Sequence, residues 1–278
     1  MPLEPGISTI FFVNEGITPD KLTRFATSTV RHVEVCWNFE HANLTEPIVG
    51  ETAAVLSDNG LVCHSLHAPV GRMCNPAAVT ADEKAGTQET FKQCLNYLQV
   101  LSGGILVVHA SAGLVQERER PDRLRHSIES LTWLAEECEK CGVALAVENM
   151  HHRQLGTTAA ELDHIVGSVN SQRAGICFDF AHAFVAEGIQ QTLGNLHSHV
   201  ITLHLCDNMK PDRESTCWPM VPHGLVDWKA AFGELKNRGY DGVMMYEVYG
   251  SGQPDLENDD VARLELNYQE LIRVFKQC

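Results

Sequence analysis

At 278 residues, with 44% hydrophobic and 21% charged side chains, the chain can bury a large core and lacks the composition of a disordered protein. Its formal charge of −15 argues against a nucleic-acid partner, because affinity for a phosphate backbone comes mainly from Lys and Arg. No apolar run approaches the ~18 residues of a membrane helix. Ten cysteines behind an N-terminus without a signal-peptide pattern point to reduced thiols and a cytoplasmic location.

In chain order, short apolar runs alternate with amphipathic stretches. Ser8–Val13 reads as a strand and Pro19–Ser28 as a helix; His32–Trp37 and Leu61–Ala68 read as strands, and Ala81–Leu101 as a long helix. Ile105–Ala110 precedes a helix over Arg120–Cys141, and the strands Val143–Asn149, Gly175–Phe180 and Val200–Cys206 follow. Trp228–Arg238 is helical, Gly242–Val248 is the last strand, and a final helix runs from about Asp259 to Lys276. Helix starts carry caps at Thr18-Pro19, at Thr80 with Glu83 beyond it, at Thr157-Thr158 and at Asp227.

Eight strands separated by helices in ~250 residues predict an α/β fold, a closed (β/α)8 TIM barrel, with residues 1–278 as one domain. A doubly wound sheet ranks second, since no Gly-x-Gly-x-x-Gly follows an early strand. Cys138-Glu-Lys-Cys141 closes a helix just before a strand, which places it at the bottom of such a barrel.

Each of the last four strands ends on a charge or an imidazole: Glu148, Asp179, His204 and Glu247. Alternation along a strand puts Ala144, Ala146, Gly175, Cys177, Val200, Thr202, Val243 and Met245 on the same inner side as these four groups. The opposite side carries Val143, Leu145, Val147, Ile176, Phe178, Ile201, Leu203, Met244 and Tyr246, large apolar groups suited to a helix-covered surface. A buried strand has no cheap use for a charge, so four in phase at the C-terminal rim predict a site that holds one divalent cation. Three carboxylates and one imidazole form a hard donor set, which suits Mn2+ or Mg2+ first and admits Co2+ or Zn2+. His182, His67, His109, Lys210 and His223 lie at the same rim and are candidate substrate-binding residues, with His151 and His152 nearby.

Val147-Glu-Asn149, Cys177-Phe-Asp-Phe-Ala-His182, His204-Leu-Cys-Asp-Asn208, His223-Gly-Leu-Val-Asp-Trp228 and Tyr246-Glu-Val-Tyr249 resemble the xylose isomerase-like TIM barrels over nearly the whole chain. That superfamily includes sugar isomerases and epimerases, inosose and dehydroshikimate dehydratases, and apurinic endonucleases of the endonuclease IV type. The resemblance implies that Glu148, Asp179, His204 and Glu247 hold a divalent cation and that His182 binds substrate. Ketose epimerases of the family carry Glu and Arg where this chain has Gln154 and Lys210, so the substrate-gripping shell differs. The endonuclease pattern is incomplete, because Lys210–Pro222 offers Asp212-Arg-Glu214 and no His, although His67 and His109 match two of its positions.

The expected activity is isomerisation or epimerisation of a small hydroxy-carbonyl compound (sugar, ketose or relative), with Glu148 and Glu247 as the catalytic proton-transfer pair across an enediolate. The alternatives are a dehydratase on the same scaffold and, further off, an apurinic-endonuclease-like hydrolase. The expected partner is a carbohydrate-like small molecule, with assembly into a homo-oligomer left open.

Overall fold

Eight parallel strands run β1 (Glu4–Ser8), β2 (His32–Cys36), β3 (Val62–His67), β4 (Ile105–His109), β5 (Ala144–Glu148), β6 (Ala174–Asp179), β7 (Val200–His204) and β8 (Val243–Tyr246). The computed structural model describes residues 4–37, 44–151, 153–209, 224–248 and 260–278. Strand neighbours follow chain order from β1 to β7, and β8 pairs with β1. The remaining seam between β7 and β8 is closed by Leu205 N–H donating to Met245 O at 2.8 Å and Glu247 N–H donating to Leu205 O at 3.2 Å. The result is a (β/α)8 TIM barrel.

Helices α1 (Glu46–Asp58), α2 (Ala81–Leu101), α3 (Arg120–Cys141), α4 (Ala159–Val169), α5 (Phe180–Val185), α6 (Ile189–Asn195), α7 (Trp228–Asn237) and α8 (Asp260–Gln277) follow the strands from β2 onward, with α5 and α6 both between β6 and β7. The helix expected after Thr18 is 3-10 over Pro19–Thr27, and Thr18 makes no side-chain cap. Other helix ends follow local chemistry. Thr80 Oγ1 accepts from Glu83 N–H at the start of α2, Thr158 Oγ1 from Glu161 N–H at α4, and an Asp227 carboxylate oxygen from Ala230 N–H at α7. Gly142 ends α3 in the left-handed region at φ 71°, where a side chain would be strained. Cys138 and Cys141 near that end are free thiols, and burial pushes the Cys138 thiol up to about 12, far from the thiolate that redox chemistry needs.

Leu145, Val147, Ile176, Phe178, Leu203, Met244 and Tyr246 pack into one apolar layer between sheet and helices, together with Leu134, Ala135 and Phe232. The barrel interior has a much smaller apolar cluster of Val107, Ala146 and Cys177, flanked by Ile105 and Ile201. Gly175 is required by close approach there: a Cβ at this position would meet His199 O at 2.8 Å.

Two further expectations need correction. The run Thr9–Glu15 is a 3-10 helix and β1 lies earlier, at Glu4–Ser8. Ser8 caps the turn by accepting from Ile10 N–H, and Phe11 and Phe12 pack against Phe25 at ring distances of 5.8 and 5.1 Å. Tertiary burial of aromatics thus overrides the strand propensity of Ile-Phe-Phe-Val. In β7 the expected phase fails at its start: Val200 packs in the outer layer and Ile201 against the inner cluster. The pairing register shifts between Ile176 and Cys177, which face Val200 and Thr202, so one extra β7 residue is absorbed and the phase is restored before His204.

Candidate metal centre

The pairing that builds the barrel also sets the height of the rim residues. His109 lies beside Glu148 and Asp179 beside His204, while Glu148 pairs with Cys177, two residues before Asp179, so the strand ends step around the rim and their side chains reach in to a common point. Glu148, Asp179, His204 and Glu247 each offer one ligand atom, and these atoms all lie within 4.8 Å of one another in buried positions. His204 is the hub: its Nδ1 lies 3.3 Å from Glu148 Oε1, 3.4 Å from Glu247 Oε2 and 3.9 Å from Asp179 Oδ2.

That nitrogen tests whether the residues fit a cation. It is buried and accepts or donates no hydrogen bond, although three carboxylates face it. A buried polar atom in that position is satisfied by a proton or by an ion shared with the carboxylates. The donor set of three carboxylates and one imidazole fits a divalent cation.

Neighbouring groups hold each of these side chains in place. Asp179 accepts from His182 N–H through Oδ1 at 2.6 Å, capping α5 and leaving Oδ2 for the centre. Asn149 clamps the same residue, receiving Asp179 N–H on Oδ1 at 2.7 Å and donating Nδ2–H to Asp179 O at 2.9 Å. The Cys206 thiol donates toward the Asp179 carboxylate at 3.6 Å. Glu148 is gripped from two sides, with Oε1 3.2 Å from His182 Nδ1 and Oε2 3.1 Å from both His67 Nε2 and His109 Nε2.

Burial raises the carboxyl groups of Glu148 and Glu247, but their surroundings separate them. The imidazoles of His204, His109 and His182 bring Glu148 well below the usual carboxylate range. Glu247 stays high, at about 7, because burial together with Glu148 and Asp179 outweighs His204 and His67. Burial lowers the His67 imidazole, yet its hydrogen bond to Glu148 and that carboxylate's charge lift it to about 9. His182 rises to about 10 against its burial, through Asp179 and Glu148. His109 is lowered by burial, which its contacts with Glu148 only partly offset.

The structure therefore brings His67, His109 and His182 to the same centre, all in contact with Glu148. The His151 ring lies 4.6 Å from that of His182, tilted by 47°. Lys210, His223 and His152 lie outside the described residues. Gln154 lies in the β5–α4 loop, where its carbonyl receives Arg120 and Thr157 donors at 2.8 Å each. Asp207 holds the loop beyond β7 by accepting from Asn208 N–H, Val226 N–H and Trp228 Nε1–H.

Sequence reasoning missed one member of the cluster, Glu34, a fully buried carboxylate next to His204. The signal was a charge inside the apolar strand His32-Val-Glu-Val-Cys36, the same kind of anomaly as at the other strands but in mid-strand rather than at the end.

Comparison with known proteins gives three kinds of likeness. The family model described as "Xylose isomerase-like TIM barrel" matches residues 24–278. The uncharacterised protein MJ1311 of Methanocaldococcus jannaschii is 26% identical over 252 residues, covering 87% of this chain and 82% of that protein. The solved structure of a D-tagatose 3-epimerase-like protein superposes with a TM-score of 0.82 at 20% identity, over 99% of both chains. That of the IolI protein with a bound zinc atom superposes with a TM-score of 0.79 at 16% identity, also over 99% of both chains.

Proposed function

This chain belongs to the xylose isomerase-like TIM barrel family, and on that premise we propose that it is a divalent-cation-dependent isomerase or epimerase of a small hydroxy-carbonyl compound of the sugar or ketose class. The observation that carries the proposal is the convergence of Glu148, Asp179, His204 and Glu247 around the unsatisfied Nδ1 of His204. Two fold neighbours lend support, one named for a tagatose 3-epimerase and one named for its bound zinc. The oxygen-rich donor set favours Mn2+ or Mg2+, with Co2+ or Zn2+ as alternatives.

A bound divalent cation supplies electrophilic stabilisation for negative charge that develops on the substrate oxygens. The proton transfers fall to the two glutamates, which reach the centre from β5 and from the end of β8. One takes the carbon-bound proton next to the carbonyl, leaving an enediolate. Return of a proton to the opposite face of the same carbon gives epimerisation, and return to the neighbouring carbon gives aldose–ketose isomerisation. Positioned acid–base groups of this kind are worth ~10²–10⁴-fold. His67 and His109 hold Glu148 through Oε2, and His182, which contacts Glu148 Oε1, is proposed to donate to a substrate oxygen. Lys210 and His223 are proposed to complete the substrate-binding shell.

The test is a solvent-exchange screen. Metal-loaded protein is incubated in deuterium oxide with ketoses, inososes and hydroxypyruvate, and the products are read by mass and NMR. Deuterium at a single carbon, with the product otherwise unchanged in composition, supports the proposal. A product lighter by one water identifies a dehydratase, and absence of exchange with every compound sinks the proton-transfer reading.

One observation favours a second reading. His67, His109 and Glu148 also offer ligand atoms within 4.8 Å of one another, and these residues would be the ones to hold a second cation. Two-ion sites suit phosphoester hydrolysis. Metal counting separates the readings: one ion per chain favours the isomerase or epimerase, and two or more favour the hydrolase.

A further inference from the structure

Glu34 is a fully buried acid outside the four-residue centre. It sits in the middle of β2 beside Ser65 of β3, and its carboxylate meets His204 of β7 across the barrel interior. Glu34 Oε2 accepts hydrogen bonds from Ser65 Oγ at 2.8 Å and from His204 Nε2 at 3.2 Å, and Oε1 lies 3.2 Å from the same nitrogen. A buried carboxylate costs several kcal/mol unless a charge or donor answers it, and here the answering ring is the hub of the candidate metal centre.

We infer that Glu34 is a positioning residue of that centre: by accepting a hydrogen bond from Nε2–H of His204 it fixes the tautomer whose Nδ1 lone pair points at Glu148, Asp179 and Glu247. The inference rests on those four residues being the ligands of a cation. A neutral imidazole carries one proton. Were it on Nδ1, the Nε2 lone pair would press against the Glu34 carboxylate at 3.2 Å, two acceptors in contact. With the proton on Nε2, Glu34 Oε2 receives a donor, although Oε1 has no hydrogen-bond partner, and Nδ1 is left as a bare acceptor among the three carboxylates. The negative charge behind the ring also makes Nδ1 a stronger donor to a cation, and it resists rotation of the ring about its β7 anchor. Ser65 restrains the carboxylate by donating its hydroxyl to Oε2 at 2.8 Å.

The probes are Co2+ and Zn2+ alone, added to the full-length protein after chelator treatment. E34Q is expected to bind Co2+ about 10–100-fold more weakly than the wild type, with shifted Co2+ absorption bands and a metal-free melting temperature close to that of the wild type. In the Zn2+-loaded wild type with isotope-labelled histidine, NMR should place zinc on Nδ1 of His204 and show a strongly downfield Nε2–H proton that moves upfield in E34Q. Unchanged Co2+ affinity and bands in E34Q, or zinc on Nε2 of His204 in the wild type, overturns the inference. The wild-type measurement decides by itself if E34Q does not fold. D179N separates this inference from the reading beneath it. If D179N binds Co2+ as the wild type does, the four-residue centre itself fails. If D179N loses Co2+ and E34Q keeps it unaltered, only the role of Glu34 falls.

Discussion

The two sides of the barrel wall are built from the same strands and do opposite jobs. Phe178 and Asp179 are consecutive residues of β6, yet Phe178 lies in the helix-covered layer, 5.0 Å from the ring of Phe180, while Asp179 belongs to the candidate metal centre. Outside, Leu, Val, Ile and aromatic side chains pack continuously from β1 round to β8. Inside, the apolar cluster shrinks to Val107, Ala146 and Cys177 with two partly buried isoleucines, and the buried inner groups include Glu34 in mid-strand and Glu148, Asp179, His204 and Glu247 at the rim. The difference shows how a barrel tolerates so many buried charges: its stability is supplied by the outer layer, which leaves the inner rim free to keep groups that cost stability and serve chemistry.

The most forceful way to break this comparison is to neutralise the inner rim. E148Q or E247Q should lower turnover by ~10²–10⁴-fold on whichever substrate the exchange screen identifies. The metal-free melting temperature should hold or rise in E247Q, which removes a crowded carboxylate, and fall in E148Q, which leaves His67 and His182 without their counter-charge. Global unfolding of both variants would instead place these acids among the groups that hold the barrel together. Next in size is the outer neighbour: F178A should cost ~3–5 kcal/mol in urea unfolding, yet leave the number of ions bound per folded chain unchanged. A loss of stoichiometry would mean that the two sides are not separable.

A pH series sharpens the comparison further. The Glu247 carboxyl is raised to about 7 in the metal-free protein, so the folded state holds a proton that the unfolded chain releases. The stability this contributes is fully present below the unfolded value near 4.5 and is lost as pH rises through about 7. A cation needs the ionised carboxylate and displaces that proton, so the gain in melting temperature on adding metal should grow from acid to mildly alkaline pH. E247Q should flatten this rise, and a gain that shrinks with pH would contradict the ligand role of Glu247. The smallest effect comes from a matched pair. Ile176 is fully buried in the outer layer and Ile201 is only partly buried at the inner cluster. I176V should cost more than I201V within the ~0.5–1.5 kcal/mol range for this substitution, and equal costs would erase the asymmetry.

Much of the fold was legible in the sequence because its signals are local. Ala81–Leu101 and Arg120–Cys141 have the expected bounds, since amphipathic period, capping residues and the glycine after Cys141 act within a turn or two of chain. Alternation along β5, β6 and β8 separated inner from outer side chains, and the structure brings the four rim groups within one ion's reach. Three features needed the closed barrel. Ile10–Val13 has strand composition but coils into a 3-10 helix, because the aromatic cluster with Phe25 decides its place. The first residues of β7 change sides through a register shift that only pairing with β6 creates.

Glu34 shows the boundary between the two kinds of information most clearly. Its charge in an apolar strand was readable as an oddity, but its partner lies 170 residues away in sequence. The sequence alone determined which side chains face inward along β5, β6 and β8 and that the last four strands end on three carboxylates and an imidazole, since period and capping depend on near neighbours along the chain. Only tertiary structure decided which nitrogen of His204 faces the carboxylates and which faces Glu34, because that choice is made by groups on β2, β5, β6 and the end of β8 that meet only when the barrel closes.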